Sequence, residues 1–135
     1  MPNLRTLKQL LQLSCSLIDG IDSDSKHVSF VLRKNKILSF GTNKSLQTHP
    51  LAKRFNCRFG TMHSELSAIL KAKKSSDFIG VTLVNIRLSA TTLRSGVPIL
   101  RNSKPCAACM RLILSNPEIQ EVIYTTNEGW KNYDK

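Results

Sequence analysis

Two short segments of the chain carry residue types that together can bind a metal ion. The first reads TMHSEL over residues 61–66, and the second reads KPCAAC over residues 104–109. The imidazole of His63 and the thiols of Cys106 and Cys109, each expected at the start of a helix, are ligands that suit zinc. Three such ligands leave the fourth position of a tetrahedral ion open, which is typical of a catalytic site.

A carboxylate follows the histidine closely. Glu65 is near enough to a metal at His63 to move protons without being a ligand itself. The alternative is a closed structural site, because a C-x-x-C pair alone often belongs to structural zinc or to a redox pair. The candidates for a closing fourth ligand are Cys57, His27 and His49. Pro105 and the apolar runs around both motifs favour the catalytic interpretation.

Together the two motifs resemble the signature of the cytidine deaminase-like superfamily. In that family an H-x-E motif is followed by P-C-x-x-C, and here the same positions read H-S-E and P-C-A-A-C. The resemblance extends over about residues 26 to 126, where helix-like and strand-like segments flank both motifs in the family's order. Members act on free nucleosides, deoxycytidylate, polynucleotides or adenosine in tRNA, so the resemblance indicates the chemistry but not the substrate.

This resemblance implies a role for each residue of the motifs. Zinc held by His63, Cys106 and Cys109 would lower the pKa of a water molecule toward neutrality. Glu65 would take the proton of that water, pass it to the ring nitrogen of the base and assist the loss of ammonia.

The resemblance also implies contacts to the substrate. The backbone N–H of Ser64 would hold the base oxygen, and the backbone carbonyl of Ser103 or Lys104 would hold the leaving amine. Asn43 matches an asparagine that holds the sugar in the family. An Asx turn at the end of a strand is an equally good interpretation of Asn43.

Aromatic and cationic residues near the motifs are further candidates. Phe59 lies in a basic segment before His63 and would either stack on a base or anchor the segment to the core. Trp130, after Gly129, would either stack on a base or pack at the sheet edge or in a subunit contact. The candidate phosphate contacts are Lys44, Arg54, Arg58, Arg94 and Arg101.

The composition indicates one small basic domain over residues 1–135. The 20 Lys and Arg residues exceed the 9 Asp and Glu residues, and the net charge of +11 favours phosphate-bearing ligands. A basic surface without a ligand is the alternative. No segment approaches the roughly 18 apolar residues of a membrane span, so we expect a cytoplasmic protein with no membrane partner. Outside the metal motif, Cys15 and Cys57 are expected to be reduced.

Hydrophobic periodicity predicts alternating helices and strands. The predicted helices run from Asn3 to about Asp19, from Met62 to Lys74 and from Pro105 to Asn116. The predicted strands are His27–Leu32, Lys36–Gly41, Val81–Leu88 and Glu121–Thr126. Asn35 is expected to take the left-handed position in the hairpin between the first two strands.

These elements predict an α/β protein with a three-layer α-β-α deaminase-like fold. The order helix, strand, strand, helix, strand, helix, strand gives a mixed sheet of about four strands. The chain is expected to be truncated after the last predicted strand. That strand would then be an open edge, which leaves room for a homo-oligomer formed through the sheet edge or the helices.

The sequence therefore predicts a zinc-dependent hydrolytic deaminase that converts cytosine to uracil. The expected substrate is a cytosine-containing nucleotide or a single-stranded DNA or RNA, since the charge serves both. Two alternatives stay open, namely a tRNA-type adenosine deaminase and a non-catalytic zinc module that binds nucleic acid.

Overall fold

A computed structural model describes residues 2–21, 26–48, 61–89, 92 and 97–134. Within this part of the chain the helices are α1 (Leu4–Leu17), α2 (Ser64–Ala72) and α3 (Ala107–Leu114), with a 3₁₀ turn at Ile18–Gly20. The strands are β1 (Lys26–Arg33), β2 (Lys36–Thr42), β3 (Lys44–Thr48), β4 (Thr61–Met62), β5 (Val81–Leu88), β6 (Leu100–Arg101), β7 (Ile119–Thr126) and β8 (Gly129–Asp134). In the same residues, every helix falls short of the length and apolar character that a membrane span requires.

The strands form one mixed sheet in the order β2-β1-β5-β7-β8, and β6 adds to β5 beyond this path. β1 is antiparallel to β2 and β5, whereas β5 and β7 are parallel and are joined through α3. β3 and β4 pair separately, just before α2 begins. The predicted α/β deaminase-like class is confirmed, with more strands than expected.

Helices cover both faces of this sheet. Successive strand residues point to opposite sides, so each strand contributes buried side chains to both faces. On the face covered by α1, called here the α1 face, the buried side chains include Leu7, Leu10, Ile18, Val28, Phe30, Leu32, Val84, Ile86, Leu88 and Ile123. On the opposite face, the α2–α3 face, they include Val31, Leu66, Ile69, Leu83, Leu112, Ile113 and Val122. The two clusters make the three-layer arrangement that the sequence predicts.

The hairpin between β1 and β2 differs from the prediction in one respect. Lys34, with φ 57°, takes the left-handed position that was expected for Asn35. The side chain of Asn35 instead accepts hydrogen bonds from Asn3 N and Thr6 Oγ1, both at 3.1 Å. Asn3 in turn caps α1, since its Oδ1 accepts from Thr6 N at 2.8 Å. The amide of Asn35 therefore ties the hairpin to the start of α1.

The prediction that the sheet ends at β7 is wrong. β8 pairs antiparallel with β7, and the hairpin closes where Thr126 faces Gly129. Gly129 has a φ of 126°, which glycine adopts without a steric penalty. Thr126 Oγ1 donates to Gly129 O at 3.0 Å and accepts from Glu128 N at 3.2 Å. Two apolar anchors, Trp130 on the α1 face and Tyr133 on the α2–α3 face, hold the added strand.

A close backbone contact places α2 against β2. A Cβ atom at Gly41 would lie 2.7 Å from Ser64 O and Ala68 N, so no side chain fits between strand and helix. Ser39 Oγ also donates to Ala68 O at 2.7 Å. These contacts fix the position of α2 relative to β2. They also fix the position of His63, the residue that precedes the helix.

Candidate metal centre and active site

The three predicted zinc ligands meet where α2 and α3 begin. His63 is the N-cap of α2 and Cys106 is the N-cap of α3, while Cys109 lies one turn into α3. Their ligand atoms all lie within 4.8 Å of one another. The Nδ1 atom of His63 lies 3.1 Å from Cys109 Sγ and 3.7 Å from Cys106 Sγ. Zinc bonds of roughly 2.0 Å to nitrogen and 2.3 Å to sulfur place such atoms about 3.6 Å apart in a tetrahedral site. The donor set therefore fits zinc.

The charge of Cys106 favours the form that binds a metal. The pKa of the Cys106 thiol is lowered to about 3, first by its hydrogen bond with the Cys109 side chain and then by the one with His63. The pKa of His63 is raised, chiefly by the hydrogen bond with Cys106. The thiolate is the species that coordinates metals. The site is therefore ready to exchange protons for a cation.

Among the described residues, the cluster of metal-ligating side chains contains only these three. His27 lies close enough to Glu65 for the charge of that residue to act on it. Burial lowers the pKa of His27, and the charge of Glu65 raises it. The His27 ring is not part of the cluster. The other candidates for a fourth ligand, Cys57 and His49, lie outside the described residues. Cys15 packs, half-buried, against the α1 face. The ligand set in this part of the chain is that of an open site.

Glu65 stands in the first turn of α2 beside the ligands. Its side chain is 6% exposed, and its carboxylate Oε1 accepts a hydrogen bond from Ser64 Oγ at 2.9 Å. Its negative charge contributes to the raised pKa of His63. A carboxylate in the first turn is also favoured by the helix dipole. Glu65 is therefore a buried acid held next to the metal ligands.

Two further buried side chains, which sequence reasoning missed, continue from Glu65 across the sheet. The hydroxyls of Ser64 and Ser29 lie 2.7 Å apart, and Ser29 Oγ donates to Asn85 Oδ1. Asn85 Nδ2 then donates to Ser103 O at 3.2 Å. Ser29 Oγ gives its proton to Asn85 Oδ1, so the single hydroxyl proton of Ser64 goes either to Glu65 Oε1 or to Ser29 Oγ. We call Ser29 and Asn85 the hydroxyl-amide row.

The segment before the Cys motif is fixed by the same end of the sheet. Ser103 N donates to Thr125 O at 2.8 Å, and Thr125 N donates to Ser103 Oγ at 2.7 Å. Ser103 Oγ also donates to Asn85 O at 2.8 Å. Lys104 is exposed, and its backbone N–H donates to Asn102 Oδ1 at 3.0 Å. The backbone of the predicted amine-binding segment is thus held rigidly.

A basic row lies one step beyond the hydroxyl-amide row. His27 faces Arg87 across β1 and β5, and Arg87 faces Arg101 across β5 and β6. Directly opposed residues point to the same face of a sheet, and alternation from Ser29 and Asn85 places the row on the α2–α3 face. Of these residues Arg101 was predicted as a phosphate contact. Arg87 was missed because it stands within an apolar run.

The structure separates the other predicted contacts. Asn43 Oδ1 accepts from His27 N at 3.0 Å, which joins the end of β2 to the start of β1. Trp130 is half-buried against the α1 face, opposite the helices that carry the zinc ligands. The backbone of Lys44 lies in β3. The candidates Phe59, Arg54, Arg58 and Arg94 lie outside the described residues.

Comparison with known families agrees with this geometry. Residues 5–126 match the model of the cytidine and deoxycytidylate deaminase zinc-binding region. The chain therefore belongs to this zinc-dependent deaminase family, and the resemblance drawn from the two motifs is confirmed. Zinc is the metal of the family's matched region, as the donor set also indicates.

Solved structures show the same fold. One similar structure is the crystal structure of dCMP deaminase from the cyanophage S-TIM5 in apo form. It has a TM-score of 0.52 and 18% sequence identity, over 89% of this chain and 82% of that one. At this identity the likeness concerns the fold. A comparison with curated proteins finds no relative of significant similarity.

Proposed function

We propose that the protein is a hydrolytic deaminase that converts cytosine to uracil in a phosphate-bearing substrate. The observation that carries the proposal is the pairing of an open set of three zinc ligands with Glu65, a buried carboxylate beside them that is held by a hydroxyl. Membership of the cytidine and deoxycytidylate deaminase family supports it. The named substrate of the S-TIM5 enzyme, dCMP, is one member of the proposed substrate class.

In this proposal zinc, when bound to His63, Cys106 and Cys109, supplies a hydroxide nucleophile near neutral pH. Glu65 accepts the proton of the attacking water, delivers it to the ring nitrogen of cytosine and assists the departure of ammonia. Its burial keeps bulk water from competing for these protons.

Backbone groups hold the base in the proposal. The N–H of Ser64 belongs to the first turn of α2, where N–H groups have no carbonyl partner within the helix, so it can donate to the base oxygen. The leaving amine donates to the carbonyl of Ser103 or Lys104. The Ser103 carbonyl already accepts from Asn85, but a carbonyl oxygen has a second lone pair for the amine.

The two arginines of the basic row support a phosphate on the substrate, whereas burial lowers the pKa of His27 and favours its neutral form. His27, Arg87 and Arg101 lie in adjacent strands at the end of the sheet next to Glu65. The net charge of +11 adds a long-range attraction for anions. A free nucleotide brings one phosphate group to this row, whereas a single strand continues along it with several.

The test is a comparison of substrates with purified, zinc-loaded protein. It is incubated with dCMP, cytidine, single-stranded DNA, single-stranded RNA and a tRNA stem-loop, and uracil and inosine are quantified. We expect uracil from at least one phosphate-bearing substrate, at a higher kcat/KM than from cytidine. Inosine alone would indicate the adenosine deaminase alternative. Binding of nucleic acid without any product would indicate the non-catalytic zinc module.

Location and assembly are part of the same proposal. We propose a cytoplasmic protein without a membrane partner, because the thiols of Cys106 and Cys109 must stay reduced to bind zinc. The edge strands available for a homo-oligomer are β2 and β8 rather than β7. Ile37 and Phe40 give β2 an exposed apolar character.

A further inference from the structure

We propose that Ser29 and Asn85 are positioning residues of the reaction, holding the Glu65 carboxylate and the Ser103 carbonyl at a fixed separation. The inference rests on the proposed deaminase function and adds two residues to it. Neither side chain belongs to the zinc-binding or H-x-E motifs, and both act through a neighbour rather than on the substrate.

Ser29 and Asn85 occupy buried positions in the centre of the sheet. Ser29 and Asn85 are direct partners across β1 and β5, and their exposures are 0% and 2%. On the α2–α3 face, the next row inward is Val31 with Leu83, which is apolar and buried. Apolar side chains would complete this core, and burying polar groups requires hydrogen bonds to offset the loss of water. Packing alone therefore does not explain the polar pair.

The hydrogen bonds of Ser29 and Asn85 lead to two parts of the proposed active site. On one side Ser29 Oγ lies 2.7 Å from Ser64 Oγ, which reaches Glu65 Oε1 at 2.9 Å. On the other side Asn85 Nδ2 donates to Ser103 O at 3.2 Å. One end is thus the proposed proton carrier and the other is a proposed acceptor of the leaving amine.

The pair limits the positions that are open to the Glu65 side chain. A glutamate side chain has three rotatable bonds, and a carboxylate that must visit a water, a ring nitrogen and an amine works best when its reach is fixed. The Gly41 contact fixes the backbone of α2 against β2, but Ser64 and Glu65 are both on that helix, so Ser64 alone cannot fix the Glu65 side chain relative to the sheet. Ser29 and Asn85 are on strands, so they refer the position of Glu65 to the sheet and to the segment before α3.

The test uses Ser29→Ala and Asn85→Ala, with matched controls elsewhere in the fold. Ser14 is as buried as Ser29 and donates to Leu10 O at 2.8 Å. Asn116 is buried and donates to Leu112 O at 2.8 Å. The control variants Ser14→Ala and Asn116→Ala remove the same groups from helix ends that do not touch the site. Ser29→Thr keeps the hydroxyl and serves as the rescue variant.

Zinc content, melting temperature, kcat and KM are measured for each variant with the best cytosine substrate. We expect Ser29→Ala and Asn85→Ala to keep zinc and KM while kcat falls about 10- to 100-fold, because misplaced groups act on the transition state. The control variants lose comparable melting temperature with kcat unchanged, and Ser29→Thr recovers most of kcat. The two test variants should also weaken binding of a cytidine analogue with a tetrahedral, hydroxyl-bearing C4 more than binding of the uridine product.

Three results would overturn the inference. The first is a kcat within about twofold of the wild type in Ser29→Ala and Asn85→Ala, given that positioning losses are expected to be larger. The second is a loss of zinc in these variants that accounts for the loss of kcat. The third is an equal fall of kcat in the control variants. If the wild type makes no uracil from any substrate while Glu65→Gln behaves identically, the proposed function itself fails, which is a different outcome from an active wild type with active Ser29→Ala.

Discussion

The two faces of strands β1 and β5 carry different sequences of side chains. On the α1 face the two central cross-strand pairs are apolar: Val28 with Ile86 and Phe30 with Val84. On the α2–α3 face the pairs change along the strands: Val31 with Leu83, then Ser29 with Asn85, then His27 with Arg87. The strands thus alternate between a face with an apolar centre and a face that becomes polar and then basic.

The difference between the two faces indicates that stability and chemistry depend on separate parts of the molecule. The α1 face has one function, which is burial, and a change there should act on the free energy of unfolding. The polar end of the α2–α3 face lies beside the metal ligands, and a change there should act on turnover.

The largest expected effect is that of Glu65→Gln on the α2–α3 face. It removes the proposed proton carrier but no proposed zinc ligand, so deamination should fall by about 10²- to 10⁴-fold or more, with zinc retained. Uracil formation and elemental analysis measure the two quantities. In the contrasting variant, Cys106→Ala, zinc should be lost together with stability, since metal binding contributes folding energy. Normal turnover in Glu65→Gln would remove the assigned role.

Phe30→Ala tests the α1 face. Phe30 is buried and pairs with Val84 across β1 and β5, and truncating a buried aromatic residue destabilises a protein by about 3 to 5 kcal/mol. Chemical denaturation should show this loss, while kcat per folded molecule stays unchanged. A fall in kcat that exceeds the unfolded fraction would show that the two faces are coupled.

The same two faces show which features of the molecule can be predicted from the sequence. The clustering of His63, Cys106 and Cys109 could be predicted because motif residues must stand at fixed spacing on helix ends. The elements could be predicted because each has its own periodicity. Ser29 and Arg87 could not, because their importance comes from the register between β1 and β5, which no local pattern contains.

The strand β8 shows the same limit at the sheet edge. Its residues are mostly polar because an edge strand exposes one side to water, so the segment was predicted to lie outside the sheet. The only apolar signals were Trp130 and Tyr133, one for each face. The Gly129 hairpin that connects the strand to β7 is defined by a backbone angle rather than by a hydrophobic pattern.

Trp130→Ala should have a smaller effect than Phe30→Ala. The Trp130 side chain is half-buried at the edge of the α1 face, so its truncation should cost about 2 kcal/mol of stability, below the range of a fully buried aromatic residue. Melting temperature and substrate affinity are measured together. Unchanged stability with weaker substrate binding would restore the predicted stacking role and would contradict the separation of the faces.

Neutralising the basic row should give the smallest effect. Arg87→Gln should raise KM for a phosphate-bearing substrate by about tenfold while KM for cytidine is unaffected, because an exposed charge contributes modestly. Arg33→Gln is the control, since Arg33 is at the other end of β1 and pairs with Asp77 at 3.0 Å.

Salt dependence then distinguishes the two substrate classes. For a polynucleotide, log affinity should fall with log salt by roughly 0.7 per phosphate contact on a single strand, and Arg87→Gln should reduce the slope by one contact. For a free nucleotide the slope should be shallow. Equal effects of Arg87→Gln on cytidine and on phosphate-bearing substrates would show that the row does not bind phosphate.

The glycine at position 41 makes one wall of the active site immovable. Because helix and strand backbones already touch there, α2 can neither approach the sheet nor admit a side chain beneath it without displacing His63 and Glu65. We therefore expect adaptation to a larger or smaller base on the opposite wall, in the segment that leads into α3. A designer who wishes to change the substrate should leave residues 39–41 and α2 as they are, and vary the other side.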